Sequence, residues 1–402
     1  MTSYRFRPHR RAVLQGATAA AALLAAPAIV RAQAGTIRLG TLTPLTGAGG
    51  SYGPSMRDAV ALVVKDVNAA GGVGGQKIDL ISEDDQTNPE AGVRAAHKLI
   101  DVDKVSAIIG TWASSVTTAV APLCWESKTA LFTVSGADSI TALPHQGFIF
   151  RTQPNSQLQV HEASKFMLGE GGRKLAYIGP QTPFAQSSID IMTAEAKKGG
   201  QGVDSLIYEN NKTSYRSEVD KILQGNPDWL LLGGYTPDTI ILLKDLYKAG
   251  YKGKMLGFAY AVNAKLLEAL PKEVTEGIYT FEPSPAIGSA AHGHLLKMLG
   301  KSDVDPYTAQ CYDHINLAVL AMAKAKATSG QAIHDSVRLI SQGGGKEISD
   351  AVTGLKAVAA GEKIDYSGAS GPCDFLPSGD ISGTKFRFDQ VKDGKFVTKK
   401  IT

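Results

Sequence analysis

The chain has 402 residues, 43% hydrophobic and 20% charged, a globular composition long enough for two domains. Its 43 glycines and 18 prolines follow no Gly-X-Y period, which excludes collagen, and its three cysteines are too few for a disulfide-stapled scaffold. The formal charge of +4 gives no case for nucleic-acid binding: five of the 42 basic residues (Arg5, Arg7, Arg10, Arg11 and Arg31) fall in an acid-free stretch over residues 1–34, leaving 37 bases against 38 acids.

Those first 34 residues read as an export leader. A basic stretch ends in His9-Arg10-Arg11-Ala12-Val13-Leu14, an apolar run follows from Ala17 to Val30, and Ala32-Gln33-Ala34 is a small-x-small cleavage site. The run is short for a bilayer span. The arginine pair followed by Val-Leu resembles a twin-arginine signal, with cleavage after Ala34 and a periplasmic destination.

From residue 36 strands and helices alternate. Thr36–Leu42 reads as a strand, and Pro54–Ala70 as a helix with Met56, Val60, Val63, Val64 and Val67 on one face, stopped by Gly71-Gly72. Lys77–Ile81 (strand), Pro89–Asp101 (helix), Val105–Gly110 (strand), Ser114–Glu126 (helix) and Ala130–Val134 (strand) continue the unit, which predicts a parallel sheet with helices on both faces. After Arg151 a second series places strands at Lys174–Ile178, Val203–Tyr208, Trp229–Leu232, Met255–Phe258 and Gly277–Phe281, with helices between them. Residues 287–357 read as roughly four helices without strands, and the tail from Cys373 to Ile401 as short strands turning at Ser378-Gly379 and Asp393-Gly394. A strandless helical block must pack on a sheet already made. The simplest path sends it back to the first domain, so the chain crosses between domains more than once and forms a hinge.

Several motifs suggest chemistry and fall short of it. In Gly47-Ala48-Gly49-Gly50-Ser51-Tyr52-Gly53 the last position of a dinucleotide fingerprint is Tyr52, and a loop separates strand from glycines. Gly71-Gly72-Val73-Gly74-Gly75 follows a helix, the wrong order for phosphate. Gly49-Gly50-Ser51-Tyr52-Gly53 fits the hydrolase nucleophile elbow as letters but lies several residues past its strand. Glu83-Asp84-Asp85, at a strand end, suits a ribose or a calcium ion, with a solvated strand end as the default. None of the eight histidines forms His-Glu-x-x-His, and Cys124, Cys311 and Cys373 contain no Cys-x-x-Cys, so no metal or cofactor is expected.

Small hydroxyl residues at strand ends carry more. Ile109-Gly110-Thr111-Trp112-Ala113-Ser114-Ser115 runs from strand into helix, where backbone N–H groups and the helix dipole favour a carboxylate. Ser135-Gly136-Ala137-Asp138 follows the next strand in the same way. Each alone is a helix cap; two on adjacent strands predict a small-carboxylate site at the carboxyl edge of a sheet.

Taken together, these stretches resemble a known family. Pro44-Leu45-Thr46-Gly47 with Tyr52-Gly53, Asp66–Gly75, Glu83-Asp84-Asp85-Gln86 with Pro89, Trp112–Ser115, Gly233-Gly234-Tyr235, Tyr312-Asp313, and Gly371–Phe375 with Gly379-Asp380 are similar to the leucine/isoleucine/valine-type periplasmic binding proteins of ABC importers, over residues 36–390. The resemblance implies an α/β fold of two Rossmann-like lobes with parallel-sheet cores and a three-strand hinge: residues 35–151 plus 283–372, and 152–282 plus 373–402. Crossings are expected near Arg151-Thr152, Phe281–Pro285 and Pro372–Phe375. It implies a cleft ligand, a carboxylate held by Ser114 and Ser115, an ammonium held by Ser135 with Ala137 or Asp138, and aromatic contacts from Tyr52, Phe184 and Tyr235. It also implies a monomer, delivering its solute to an ABC permease without doing chemistry.

One departure concerns the ligand. Amino-acid binders of the family place an acid in the loop after the strand at Met255–Phe258, whereas here the loop reads Gly257-Phe258-Ala259-Tyr260-Ala261. Either Asp138 replaces that acid, or the ligand lacks an α-amine and Trp112, Phe184, Tyr235 and Tyr260 suit an aromatic or apolar acid; an aromatic cage for a quaternary amine is a third reading. The resemblance further implies a Cys311–Cys373 disulfide, with Cys124 free. An exported NAD-dependent oxidoreductase and a ligand-sensing receptor subunit are the rival functions.

Overall fold

A computed structural model describes residues 35–402 except position 343; the leader and its cleavage site lie outside the described residues. The first sheet has the order β2-β1-β3-β4-β5, all parallel. It is built from β1 (Ile37–Thr43), β2 (Ile78–Asp84), β3 (Ala107–Gly110), β4 (Ala130–Thr133) and the two-residue β5 (Ile149–Phe150). Between them run α1 (Gly53–Ala69), α2 (Pro89–His97, continued by a π-turn over Lys98–Val102), α3 (Ser114–Glu126) and the single turn α4 (Ser139–Ala142). β3 and β4 are buried at every position, as strands covered on both faces must be. The apolar stripe of α1 is buried as its spacing predicts, and the chain leaves this helix through Gly71 and Gly72 at φ +113° and +81°, a conformation that glycine adopts without a steric cost.

The chain leaves the first sheet at Arg151 and builds the second. α5 (Ser156–Gly169), β6 (Leu175–Pro180), α6 (Pro183–Lys198), β7 (Val203–Tyr208), α7 (Arg216–Leu223), β8 (Trp229–Leu232), α8 (Thr236–Lys248), β9 (Lys254–Phe258), the short helices α9 (Ala264–Ala269) and α10 (Lys272–Thr275), and β10 (Tyr279–Pro283) follow in order. β7, β6, β8, β9 and β10 pair in parallel in that spatial order.

Past Pro283 the chain returns. α11 (Ala290–Leu299), α12 (Pro306–Ala325), α13 (Gly330–Ser341) and α14 (Ala351–Ala359) form the expected helical block, and α12 packs on α1, α13, α14 and β3. Every residue of α12 from Pro306 to Met322 is buried, because neighbours enclose it. The block is not strandless: β11 (Lys346–Ile348) and β12 (Ile364–Tyr366) make a small parallel pair. Three-residue strands leave no alternation to read. The chain ends in an antiparallel hairpin, β13 (Phe386–Lys392) and β14 (Lys395–Ile401), turning at Asp393-Gly394 and extending the second sheet beside β10.

The third crossing lies later than the expected Pro372–Phe375. Phe375 N–H donates to Gln342 Oε1 at 2.8 Å, its ring packs edge-on to Phe150, and Arg151 N–H donates to the Gly379 carbonyl, so the segment through Asp380 stays tied to the first sheet. The crossing is Ile381–Lys385, bonded to the second crossing by Ser284 N–H to the Lys385 carbonyl. At this hinge Arg151 is fully buried. Its Nε meets Asp380 Oδ1 at 2.5 Å, Nη1 donates to the carbonyls of Ser135 and Ala137 at 3.1 and 2.7 Å, and Nη2 donates to Thr141 Oγ1 at 3.0 Å.

Candidate functional site

Strand ends of both sheets converge on one cavity. Trp112, Ala113 and Ser114 come from the end of β3 and the start of α3, Val134 and Gly136 from the loop after β4, and Gln153 from the segment after β5. Across from them stand Pro180, Thr182 and Phe184 between β6 and α6, Gly233 and Tyr235 after β8, and Tyr260 after β9; Tyr307, in the first turn of α12, closes one side. The carboxyl edge of parallel strands is where such sheets bind ligands, because the loops there are free of the ladder and helix N-termini point inward.

Among the described residues, none that lines the cavity is charged. Besides the hydroxyls of Ser114, Thr182 and the lining tyrosines, its polarity has two sources. One is the start of α3: the N-cap position is Ala113, which has no side chain to accept from the first turn. Those N–H groups and the positive end of the dipole are available to a ligand oxygen. The facing helix α6 differs, since Thr182 accepts from Ala185 N–H at 3.0 Å. The other source is Gln153, whose Oε1 accepts from Gln310 Nε2 at 2.7 Å, leaving its own amide nitrogen as a donor.

The walls are aromatic. Trp112, 6% exposed, lies 5.2 Å from Tyr235, 5.8 Å edge-on from Tyr307 and 5.9 Å edge-on from Tyr260, ring centre to ring centre. Phe184 meets Tyr260 edge-on at 6.2 Å. Burial pushes the phenols of Tyr235, Tyr260 and Tyr307 upward, so all three are neutral hydrogen-bond donors at any physiological pH.

Of the residues singled out in the sequence, Trp112, Ser114, Phe184, Tyr235 and Tyr260 line the cavity. Tyr52 stands one layer back, stacked on Trp112 at 5.6 Å. Ser115, half-buried in the first turn of α3, does not line it. Ser135 donates to the carbonyls of Thr111 and Trp112 at 2.8 and 2.9 Å, so its hydroxyl ties β4 to the end of β3 instead of facing a ligand. Ala137 is also behind the wall, its N–H on Ser114 Oγ at 3.2 Å and its carbonyl on Arg151. Asp138 turns toward α5, where Oδ1 accepts from Gln157 N–H at 3.2 Å, so it is no counter-charge for an ammonium in this cavity.

The predicted disulfide is absent: Cys124, Cys311 and Cys373 are all buried free thiols. Cys373 turns into its own loop, its thiol donating to the Gly371 carbonyl at 3.6 Å, while Cys311 is enclosed within α12. Glu83, Asp84 and Asp85 diverge too, toward Lys98, Thr46 and the Thr87 N–H respectively, and among the described residues no cluster could hold a metal ion. Sequence reasoning missed Gln153, Thr182 and Tyr307. The first two follow strands β5 and β6, a recoverable signal. Tyr307 had only the Asp305-Pro306 helix start, which says nothing about where that helix points.

The sequence profile of the periplasmic binding proteins matches residues 36–395. The chain belongs to that family. A Leu/Ile/Val-binding protein homolog from Brucella abortus is 24% identical over 299 residues, 73% of this chain and 79% of that protein. Among solved structures, a leucine-binding protein from Thermotoga maritima superposes with a TM-score of 0.78 at 18% identity, covering 91% of this chain and 98% of the other. An ABC-transporter solute-binding protein of R. palustris, solved with 4-hydroxybenzoate, gives 0.75 at 19% identity, covering 91% and 96%. The two-lobed periplasmic-binding fold is therefore shared, and the family is one of binding proteins and not of enzymes. Among the described residues no helix is long and apolar enough to cross a membrane.

Proposed function

We propose that the chain is the solute-binding component of an ABC importer, exported by its twin-arginine-type leader, cleaved after Ala34 and working as a periplasmic monomer that hands its solute to a permease. The lobes are residues 35–151 with 283–380, and 152–282 with 381–402, closing on a small carboxylic acid with an apolar, aromatic body and no α-amine.

The observation that carries the ligand class is the pairing of an uncapped helix start with aromatic walls and no lining carboxylate. The first turn of α3 suits the carboxylate. The rings of Phe184, Tyr235, Tyr260 and Tyr307 suit a flat apolar body. An α-ammonium brought into this cavity has no anion to meet it, a penalty of several kcal/mol. The relatives' names cover both alternatives, Leu/Ile/Val in one and 4-hydroxybenzoate in the other.

Titration calorimetry on residues 35–402 with 4-hydroxybenzoate, benzoate and leucine decides between them. The aromatic acids are expected to bind and leucine to bind at least about tenfold more weakly, the equivalent of roughly 1.4 kcal/mol. Tight leucine binding with no response to either benzoate overturns the ligand class.

A further inference from the structure

Tyr52 holds a bond that the ligand cavity does not require. It lies at the N-terminal end of α1, on the first-sheet side, and its hydroxyl donates to the carbonyl of Ala259 at 3.1 Å, on the loop after β9 of the second sheet. The same oxygen accepts from Asn263 Nδ2 at 2.8 Å. Asn263 Nδ2 also lies 2.8 Å from Thr236 Oγ1 at the start of α8, and Thr236 Oγ1 donates to the Tyr260 carbonyl at 2.8 Å. One phenol from one lobe thus joins a chain of polar groups on the other.

Its surroundings make the bond directional. Tyr52 is 9% exposed, and its ring is fixed by Trp112 on one face and by Tyr307 edge-on at 5.2 Å. Asn263 is fixed as well, because its Oδ1 caps α9 by accepting from Leu266 N–H at 3.2 Å. Neither residue lines the cavity. Burial pushes the Tyr52 phenol upward, so it stays protonated and keeps its donor.

We infer that Tyr52 and Asn263 form a latch across the cleft, which stabilises the closed arrangement directly and sets ligand residence time without touching the ligand. Opening the cleft breaks both bonds of the phenol together, whereas the chain from Asn263 through Thr236 to the Tyr260 carbonyl stays within one lobe. The latch deepens the binding reading above but is testable apart from it, since closure can be followed without any ligand.

Two substitutions separate the latch from plain packing. Tyr52→Phe keeps the ring against Trp112 and loses only the hydroxyl. Asn263→Ser keeps a cap for α9, as serine caps well, but withdraws the amide from Tyr52. Spin labels on exposed positions of the two lobes, read by pulsed dipolar spectroscopy on the ligand-free protein, are expected to report a shift toward longer distances in both variants. Stopped-flow release of 4-hydroxybenzoate is expected to speed up roughly tenfold in Tyr52→Phe, as for two lost hydrogen bonds, and less in Asn263→Ser, which loses one of them, with association nearly unchanged. Unchanged distance distributions in both variants overturn the latch. If the unmodified protein ignores 4-hydroxybenzoate, the ligand class fails, and the distance measurement still decides the latch.

Discussion

At the scale of single residues, two buried ionisable groups, one at the hinge and one at a strand end, show opposite situations. Arg151 is the first case, a fully buried guanidinium whose charge is met within hydrogen-bond distance, among the described residues, by Asp380 alone. Asp380→Asn preserves shape and leaves that cation with only the more distant Asp138 to offset it. The variant is expected to lose about 3 kcal/mol in urea unfolding, the usual cost of halving a buried pair; a loss under about 1 kcal/mol shows the pair to be solvated. Asp85 is the opposite case. It is fully buried, Oδ1 accepts from Thr87 N–H, and Oδ2 has no partner. Burial pushes its pKa from 3.8 up to about 7, against the lowering by the Thr87 N–H and with a further push from Asp84. The folded state therefore holds a proton that the unfolded chain releases near pH 4. Its stabilising contribution is full below that pH and is lost as pH rises through about 7. Asp85→Asn is expected to lose less melting temperature between pH 5 and pH 8 than the unsubstituted protein. Other groups add to the slope in variant and parent alike: burial pushes Glu282 and Asp313 up to about 7 and about 6 and raises Asp305 in the same direction, while burial lowers His145, His292 and His314 and opposes them. Equal slopes in variant and parent refute the assignment.

At the scale of elements, the cavity depends on how closely the loop after β4 approaches α6. A Cβ on Gly136 would stand 2.6 Å from Phe184 Cε2 and 2.8 Å from Gln159 Nε2. Gly136→Ala must push Phe184 into the cavity or hold the cleft apart. Binding of the aromatic acid is expected to weaken about tenfold or more by calorimetry, since such overpacking costs about 1–3 kcal/mol; parent-like affinity means the loop yields. This is also the scale at which the sequence stops being readable. The alternating strands and helices could be placed from periodicity and glycine stops, and Trp112 and Ser114 from their place at a strand end. Asp138 could not be placed, because its direction is settled by partners far along the chain: Arg151 holds the loop's carbonyls, and Gln157 N–H takes the carboxylate. Strands as short as β5, β11 and β12 carry no pattern at all. The third crossing was misjudged for the same reason, since Phe375 is drawn to the first sheet by Phe150 and Gln342 and not by anything beside it in sequence.

For the whole molecule, the two sheets meet through three crossings and one cavity, and the closed arrangement joins them by rings around Trp112 and by the Tyr52 hydroxyl. Closure couples to ligand only so far as the ligand prefers the closed state, so a strong latch trades discrimination for residence.

The crossings have another effect, on the order in which the chain can be made. The first sheet acquires its covering helices α12 and α13 only when residues 306–341 exist, and the partner of Arg151 only at Asp380. The second sheet gains its outer strands only with residues 386–401. Neither lobe can be whole while most of the chain is still being synthesised. At about 5–20 residues per second, both are completed within a few seconds of each other.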